Sequence, residues 1–179
     1  MVEGEQEFTL ESATIRVPDR LIAIDFANFD VAIAEEIEQQ FQGDEGKRLS
    51  GLILDLAARG HFKVFAMDPS TPEDGFDENV NVIIREIDSG IDLTTLLEAS
   101  VSEYREIATV LAIDEFVAGE LTFGRVRTSM ELEQGRCEGQ AYLLVRGGKS
   151  HCVTFTASPA TAEKFLAEAE TIMRNDRVP

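Results

Sequence analysis

The stretch that most constrains the fold lies near the C-terminus, where three predicted strands lead directly into an amphipathic helix. Residues 124–132 and 138–146 have the composition of strands, and residues 149–157 return after the dipeptide Gly147-Gly148. Adjacent glycines suit a two-residue hairpin turn, because they adopt positive φ angles without steric cost. Apolar residues at helical spacing follow at once. This stretch predicts antiparallel strands with a helix packed on one face of the sheet.

The glycine turn also predicts how the last two strands pair. If the two glycines form the loop, Tyr142 lies opposite Val153, and Phe155 follows two residues further along the same face. Phe165 lies in the middle of the apolar stripe of the helix. We therefore expect Phe165 to be buried against these three side chains.

The rest of the chain supplies further strands and helices. Apolar runs predict strands at residues 21–26, 61–67 and 80–87, and one more strand made from 110–116 and 120–123; residues 8–17 are predicted to form a strand or a short hairpin arm. Helices are predicted after the caps Asp30, Asp92 and Ser158 (with Pro159 as the first helical residue), and after a turn at residues 43–46. The predicted fold class is α+β: a largely antiparallel sheet of about six to seven strands with helices on both faces, in a single domain over residues 1–179.

The order of these elements resembles the Mog1/PsbP-like family, including the small bacterial proteins of its uncharacterised branch. The resemblance covers most of the chain and rests on an opening strand that ends in proline (14–18), an Asn-Val strand (79–84) and a long amphipathic helix (93–110). Where members commonly carry a tryptophan shortly after that proline, this chain has Arg20 and Leu21. The resemblance implies an α/β/α sandwich. It also implies a non-enzymatic role, because the members are mostly binding or accessory proteins: a Ran-binding import factor, an extrinsic photosystem subunit, lipoproteins and chaperones for secreted effectors.

The charge balance restricts the partners of the chain. The 34 acidic residues against 16 basic ones give a net charge of −18. This charge repels nucleic acid and anionic membranes, and it leaves two alternatives, a solvated acidic exterior or a surface that attracts a basic partner. No run approaches the ~18 apolar residues of a membrane span. The acidic start lacks the pattern of a signal peptide. We therefore expect a cytoplasmic protein without membrane insertion.

The clearest loop lies at residues 69–79, which carry two prolines, a glycine and four carboxylates. Its lone aromatic residue, Phe76, suits either an anchor tucked into the protein, the favoured interpretation, or an exposed docking residue. Calcium binding is disfavoured because the loop lacks the alternating acids of a calcium loop. A solvated acidic loop is the plainer interpretation. The candidate protein-docking residues are Glu73, Asp74, Phe76, Asp77 and Glu78.

Catalytic, metal and cofactor sites are not predicted. The histidines, His61 and His151, are far apart in the sequence, and His151 points to the opposite face of its strand from Cys152. A Cys-His nucleophilic pair would require Cys137 or Cys152 to meet His61 by folding. The pairing scheme places Cys137 before the start of its strand and out of register with Cys152. We therefore expect two free thiols.

These observations favour a non-enzymatic binding or accessory module, with a chaperone-like role as one version. The expected partner is another protein, either basic or with exposed apolar segments, and a homodimer is left open. The alternative is a small-ligand binder or an enzyme with a pocket between sheet and helices. A deep polar pocket with displaced pKa values would favour that alternative, whereas a shallow apolar patch would favour protein binding.

Overall fold

The computed structural model describes residues 5–10, 13–41, 43–68, 78–132 and 135–175. Within these ranges, seven strands form one sheet in which every neighbouring pair is antiparallel. The expected antiparallel sheet is therefore confirmed. From one edge to the other, its strands are β3 (Ile22–Asp25), β4 (Phe62–Met67), β5 (Asn79–Glu86), β9 (Lys149–Ala157), β8 (Gly135–Arg146), β7 (Leu121–Leu132) and β6 (Thr109–Ala118). A separate hairpin is formed by β1 (Glu5–Leu10) and β2 (Ala13–Pro18).

Aspartate side chains cap the first turns of two of the helices. The Asp30 carboxylate accepts a hydrogen bond from the N–H of Ala32 (3.0 Å), and the Asp92 carboxylate accepts one from Thr95 (2.8 Å). No helix in the described ranges is both long enough and apolar enough to cross a bilayer. The helices are α1 (Val31–Phe41), α2 (Gly43–Arg59), α3 (Leu93–Ile107) and α4 (Ala162–Asn175), with a short 3-10 helix at Phe26–Asn28.

One face of the sheet packs against α4 and the β1–β2 hairpin. Phe165 of α4 is only 1% exposed, and its ring centroid lies 6.1 Å from that of Phe155. Phe155 in turn lies 6.0 Å from Tyr142, and Tyr142 pairs with Val153 as the glycine turn predicts. The predicted burial of Phe165 against the last two strands is confirmed.

The other face packs against the remaining helices. Phe65 and Met67 of β4 join the apolar side chains of α1 and α2. Further along the sheet, Val101 of α3 packs with Val126 of β7 and Leu143 of β8. Helices therefore cover both faces of the sheet, as the sequence predicts.

The structure corrects the predicted turn at residues 43–46, which instead forms the first turn of α2. Gly46 lies where α2 crosses α1, and a Cβ atom there would lie 2.5 Å from the backbone oxygen of Glu38. Because glycine has no side chain, Gly46 allows α1 and α2 to pack closely against each other.

The predicted single strand at residues 110–123 is wrong. Here β6 ends at Ala118, Gly119 turns with a φ of +60°, and β7 begins at Leu121. The turn needs only Gly119 and Glu120, so these short apolar runs form two long paired strands.

Two element boundaries also differ from the prediction. Cys137 lies inside β8, paired with Met130, because the β7–β8 ladder continues further than the polar residues suggest. The last helix begins at Ala162 and not at Pro159. The N–H groups of Thr161 and Ala162 donate to the carbonyl of Ser158 at 3.1 and 2.9 Å, which forms a turn before the helix.

Candidate functional site

The predicted docking loop can be placed only at its base. Glu78 is buried at the start of β5, and its carbonyl accepts a 2.8 Å hydrogen bond from the N–H of Asp68 at the end of β4. The two ends of the loop are therefore held together. The other predicted docking residues lie outside the described residues: Glu73, Asp74, Phe76 and Asp77.

Arg20 ties the base of the loop to α4. Its guanidinium donates two hydrogen bonds to the Glu168 carboxylate, at 2.7 and 2.8 Å. It also lies 3.4 Å from Glu78 and 3.5 Å from Asp68, above the ring of Phe165. The hydrogen bonds to Glu168, and after them the interaction with Glu78, raise the pKa of Arg20 above its ordinary value. Sequence reasoning missed this cluster, because its members are distant in the chain and share no motif.

The open edge of the sheet is the second candidate surface. β6 contains ten residues, whereas β3 at the other edge contains four. Ala118 and Leu121 flank a two-residue turn and so form a hydrogen-bonded pair. Such pairs alternate along an antiparallel ladder, so the N–H groups of Ile113, Glu115 and Val117 point away from β7. Edge strands usually limit such open hydrogen-bonding groups, because they can pair with another chain.

Exposed apolar side chains line this edge. Phe116 and Ala118 of β6 belong to the core beneath α4, so the alternate residues face the α3 side of the sheet. There Ile113 is 44% exposed and Val117 is 55% exposed. Leu111, at a bulge in β6, is also exposed. We call Leu111, Ile113 and Val117 the edge strip. Exposed apolar residues along an unpaired strand edge favour an interaction surface.

The charges of β6 are distributed unequally over its two faces. On the α4 side, Asp114 accepts hydrogen bonds of 2.7 and 2.8 Å from Arg125, which also donates to Glu170 of α4. The bonds from Arg125 lower the pKa of Asp114 below its ordinary value. On the α3 side, Glu115 is exposed and makes no ion pair with any residue that the structure describes. Ile113 and Val117 therefore flank a negative charge that has no ion-pair partner among the described residues.

A cleft of about 420 Å³ lies between α4 and strands β7 and β8. Arg127 and Gln140 contribute from the sheet, and Glu163 and Arg174 contribute from α4. The Nε of Arg127 is buried and has no hydrogen-bond partner among the described residues. A buried donor without a partner is unusual in a folded protein, so this cleft is a candidate ligand site.

The two free thiols in the described part of the chain do not have the properties of a cysteine nucleophile. Burial raises the pKa of both free thiols, Cys137 and Cys152, and so favours the unreactive protonated form. Cys152 pairs with Ile83, which pairs with Phe62, the neighbour of His61. Two strand spacings, about 10 Å, therefore separate that region from Cys152.

Histidine does not mark a site either. The His61 ring stacks on Phe62, and its Nδ1 lies 2.9 Å from the carbonyl oxygen of Arg59. His151 is buried on the α4 side of β9. In the part of the chain that the structure describes, no three His, Cys, Asp or Glu side chains are grouped so that they could hold a metal ion.

Comparison with known proteins gives structural matches only. No protein-family model matches the sequence, and no curated protein sequence matches it significantly. Cyanobacterial PsbP (CyanoP) from Synechocystis sp. PCC 6803 superposes with a TM-score of 0.62 at 12% identity, over 100% of this chain and 94% of that one. PA94 from Pseudomonas aeruginosa, a protein of unknown function, gives 0.57 at 10% identity, over 98% and 96%. The Saccharomyces cerevisiae Ran-binding protein Mog1p gives 0.52 at 13% identity, over 98% and 96%. At such identities the similarity shows a shared fold.

Proposed function

We propose, from the Mog1/PsbP-like fold that this chain has, that the protein is a non-enzymatic accessory module that binds another protein through the edge strip. The observation that carries the proposal is the ten-residue open edge of β6, where Ile113 and Val117 are exposed. An edge strand with apolar side chains is a template for another chain, and most proteins shorten or cover such edges. That Mog1p is a Ran-binding protein supports the proposal by analogy of fold alone.

The state of the reactive groups supports the non-enzymatic part of the proposal. A nucleophilic cysteine requires a lowered pKa and a nearby base, whereas burial raises the pKa of both Cys137 and Cys152. Free thiols also suit a reducing compartment, so we place the protein in the cytoplasm within this proposal.

The test compares photo-cross-linking from two matched positions. Val117 in the edge strip is 55% exposed, and Val31 at the start of α1 is 56% exposed. A photoreactive amino acid replaces each valine in turn, and each protein is irradiated in lysate of the source cells. We expect a discrete cross-linked partner, the same in replicate preparations, from position 117 and none from position 31.

A second variant tests whether the edge strip itself causes the cross-link. Ile113→Lys places a charge in the strip without touching the core, so the cross-link from position 117 should fall at least fivefold while thermal stability is retained. Equal cross-linking from positions 117 and 31, or no protein partner from either, would contradict the proposed function.

A second candidate function, small-ligand binding, is favoured by the cleft beneath α4. The buried Nε of Arg127 is a donor that a ligand carboxylate could satisfy. The test is titration with acetate, succinate and citrate while the Nε–H resonance of Arg127 is followed by NMR. A saturable shift that is lost in Arg127→Met would support this function. A shift that only follows ionic strength would exclude these acids as ligands.

A further inference from the structure

The chemistry of the edge strip also indicates what kind of segment covers it. We infer that the partner contributes an extended segment of a basic protein, which adds to β6 as an eighth strand. In this segment a Lys or Arg lies opposite Glu115, with apolar residues two positions before and after it. The inference rests on the proposed function and specifies its partner.

The backbone groups on the outer side of β6 favour the addition of a strand. The N–H and C=O groups of Ile113 and Glu115 and the N–H of Val117 point away from β7 and can pair with a new strand, whereas the carbonyl of Val117 accepts a 3.3 Å hydrogen bond from Arg174. Strand addition of this kind takes its affinity from main-chain hydrogen bonds and its specificity from alternate side chains. Only an extended segment can satisfy this row of groups. A helix cannot do so, because its own hydrogen bonds already use its backbone groups.

The side chains of the same three residues determine which sequence pairs best with β6. Ile113, Glu115 and Val117 share the α3 side of the sheet, in the order apolar, acidic, apolar. Residues directly opposite each other on neighbouring strands are in contact, and opposite charges stabilise the pair. The complementary segment therefore alternates apolar, basic, apolar on that side.

The net charge of the protein favours a basic partner. The net charge of −18 attracts basic proteins over a distance and accelerates their association. Within β6, Arg125 already compensates Asp114, which leaves Glu115 to select the partner residue. A basic side chain opposite Glu115 therefore combines long-range attraction with a specific contact.

A second copy of this chain fits the edge less well in the register that brings the apolar residues Ile113 and Val117 together. Antiparallel pairing of two β6 strands about a twofold axis at Glu115 would place Ile113 opposite Val117 of the other copy. The same register would place the two Glu115 side chains directly opposite each other, and like charges in that position are destabilising. The net charge of −18 on each copy adds to the repulsion.

The other edge of the sheet is a poorer template. β3 contains four residues, and its last residue, Asp25, caps the short 3-10 helix by accepting a hydrogen bond from the N–H of Ala27 (2.9 Å). Ile24 is buried beneath α1 and α2. Of the two edges of the seven-stranded sheet, as far as the described residues show, β6 is therefore the one that combines a long open ladder with exposed apolar side chains.

The experiment uses two capped heptapeptides, Thr-Val-Thr-Lys-Thr-Val-Thr and the same peptide with Glu in place of Lys. Each is titrated into the full chain while amide resonances are followed by NMR. We expect the Lys peptide to shift the amides of Ile113, Glu115 and Val117 and to bind about two- to fivefold more tightly than the Glu peptide, as a cross-strand ion pair implies. In Glu115→Lys the preference of the protein should reverse.

A backbone variant separates strand addition from simple attraction between charges. In Glu115→Pro the lost N–H points outward, so the β6–β7 ladder keeps its hydrogen bonds and the fold tolerates the change. Both peptides should then lose binding at β6. Equal binding of the two peptides to the parent, or shifts that avoid β6, would overturn the inference.

The two tests distinguish failure of the inference from failure of the proposed function. If position 117 cross-links a partner while the Lys peptide does not bind, the protein-binding function stands and strand addition by a basic segment is wrong. If neither is observed, both are wrong. If sedimentation shows a dimer that Ile113→Lys dissociates, the occupant is a second copy and the inference is wrong.

Discussion

At the scale of single residues, two glycines of the same helix have opposite roles. Gly46 lies against α1, and a Cβ atom there would meet the backbone oxygen of Glu38 at 2.5 Å. Gly51, five residues later in α2, faces open space, and a Cβ atom there would meet nothing within 4 Å. Glycine weakens a helix unless packing requires it, so of these two residues Gly46 has a structural reason to be glycine and Gly51 does not.

We therefore expect Gly46→Ala and Gly51→Ala to change stability in opposite directions. Gly46→Ala forces α1 and α2 apart and should lower the free energy of unfolding by about 1–3 kcal/mol. Gly51→Ala should raise it by up to about 1 kcal/mol, because alanine restricts the unfolded chain and favours the helix. Urea denaturation measures both. Stabilisation by Gly46→Ala would show that the two helices do not cross there.

The buried His151 makes a second residue-scale prediction. Burial lowers its pKa below the ordinary value of 6.5, so the folded protein binds a proton less readily than the unfolded chain does. The contribution to stability is therefore present above pH 6.5 and is lost as the pH falls towards the folded pKa. The urea concentration at the midpoint of unfolding should decrease when the pH is lowered from 7.5 to 5.5. His151→Gln should reduce this decrease. An unchanged pH dependence in the variant would contradict the burial of His151.

At the scale of elements, α4 is the best example of a helix that packing specifies. Ala162, Phe165, Leu166 and Ala169 are buried against the sheet, whereas Lys164 is exposed. A helix of this length is marginal in water, so most of its stability comes from the buried face. The loss of one large buried side chain should therefore be costly.

Phe165→Ala should lower the free energy of unfolding by about 3–5 kcal/mol, from lost transfer energy and the cavity left against Phe155. Lys164→Ala, one position away, should change it by no more than about 0.5 kcal/mol. Denaturant unfolding of both variants checks this contrast. Equal midpoints for Phe165→Ala and the parent would show that α4 does not pack on the sheet.

The C-terminal unit could be predicted because its signals are local. The glycine turn, the strand alternation and the helical stripe lie within one continuous stretch, and each depends on neighbouring residues. The docking of Phe165 follows from these signals alone. The β6–β7 hairpin was missed because a short two-residue turn with one glycine resembles an irregularity within a single strand.

The candidate site could be predicted less well, because it depends on the order of strands in the sheet. Ile113, Glu115 and Val117 alternate in a way that is visible in the sequence, but alternation does not show whether a strand is central or at an edge. Arg20 meets Glu168, 148 residues away, only after folding. The same limit explains Gly46, whose contact with Glu38 requires two helices to be in place.

At the scale of the whole molecule, charge and sheet architecture favour the same kind of partner. Helices and the β1–β2 hairpin pack on the two faces of the antiparallel sheet, and β6 is one of its edge strands. The net charge of −18 attracts basic chains towards this surface. The claim that the protein binds its partner at this edge is therefore the centre of the proposed function.

Amide hydrogen exchange with the cross-linked partner tests that claim most directly. The exchange of every backbone segment is compared between the free protein and the complex. We predict that added protection is concentrated in Thr109–Ala118, because a new strand occupies the outward N–H groups of β6. Protection confined to α4 and its cleft, with β6 exchanging at the same rate in both states, would contradict it.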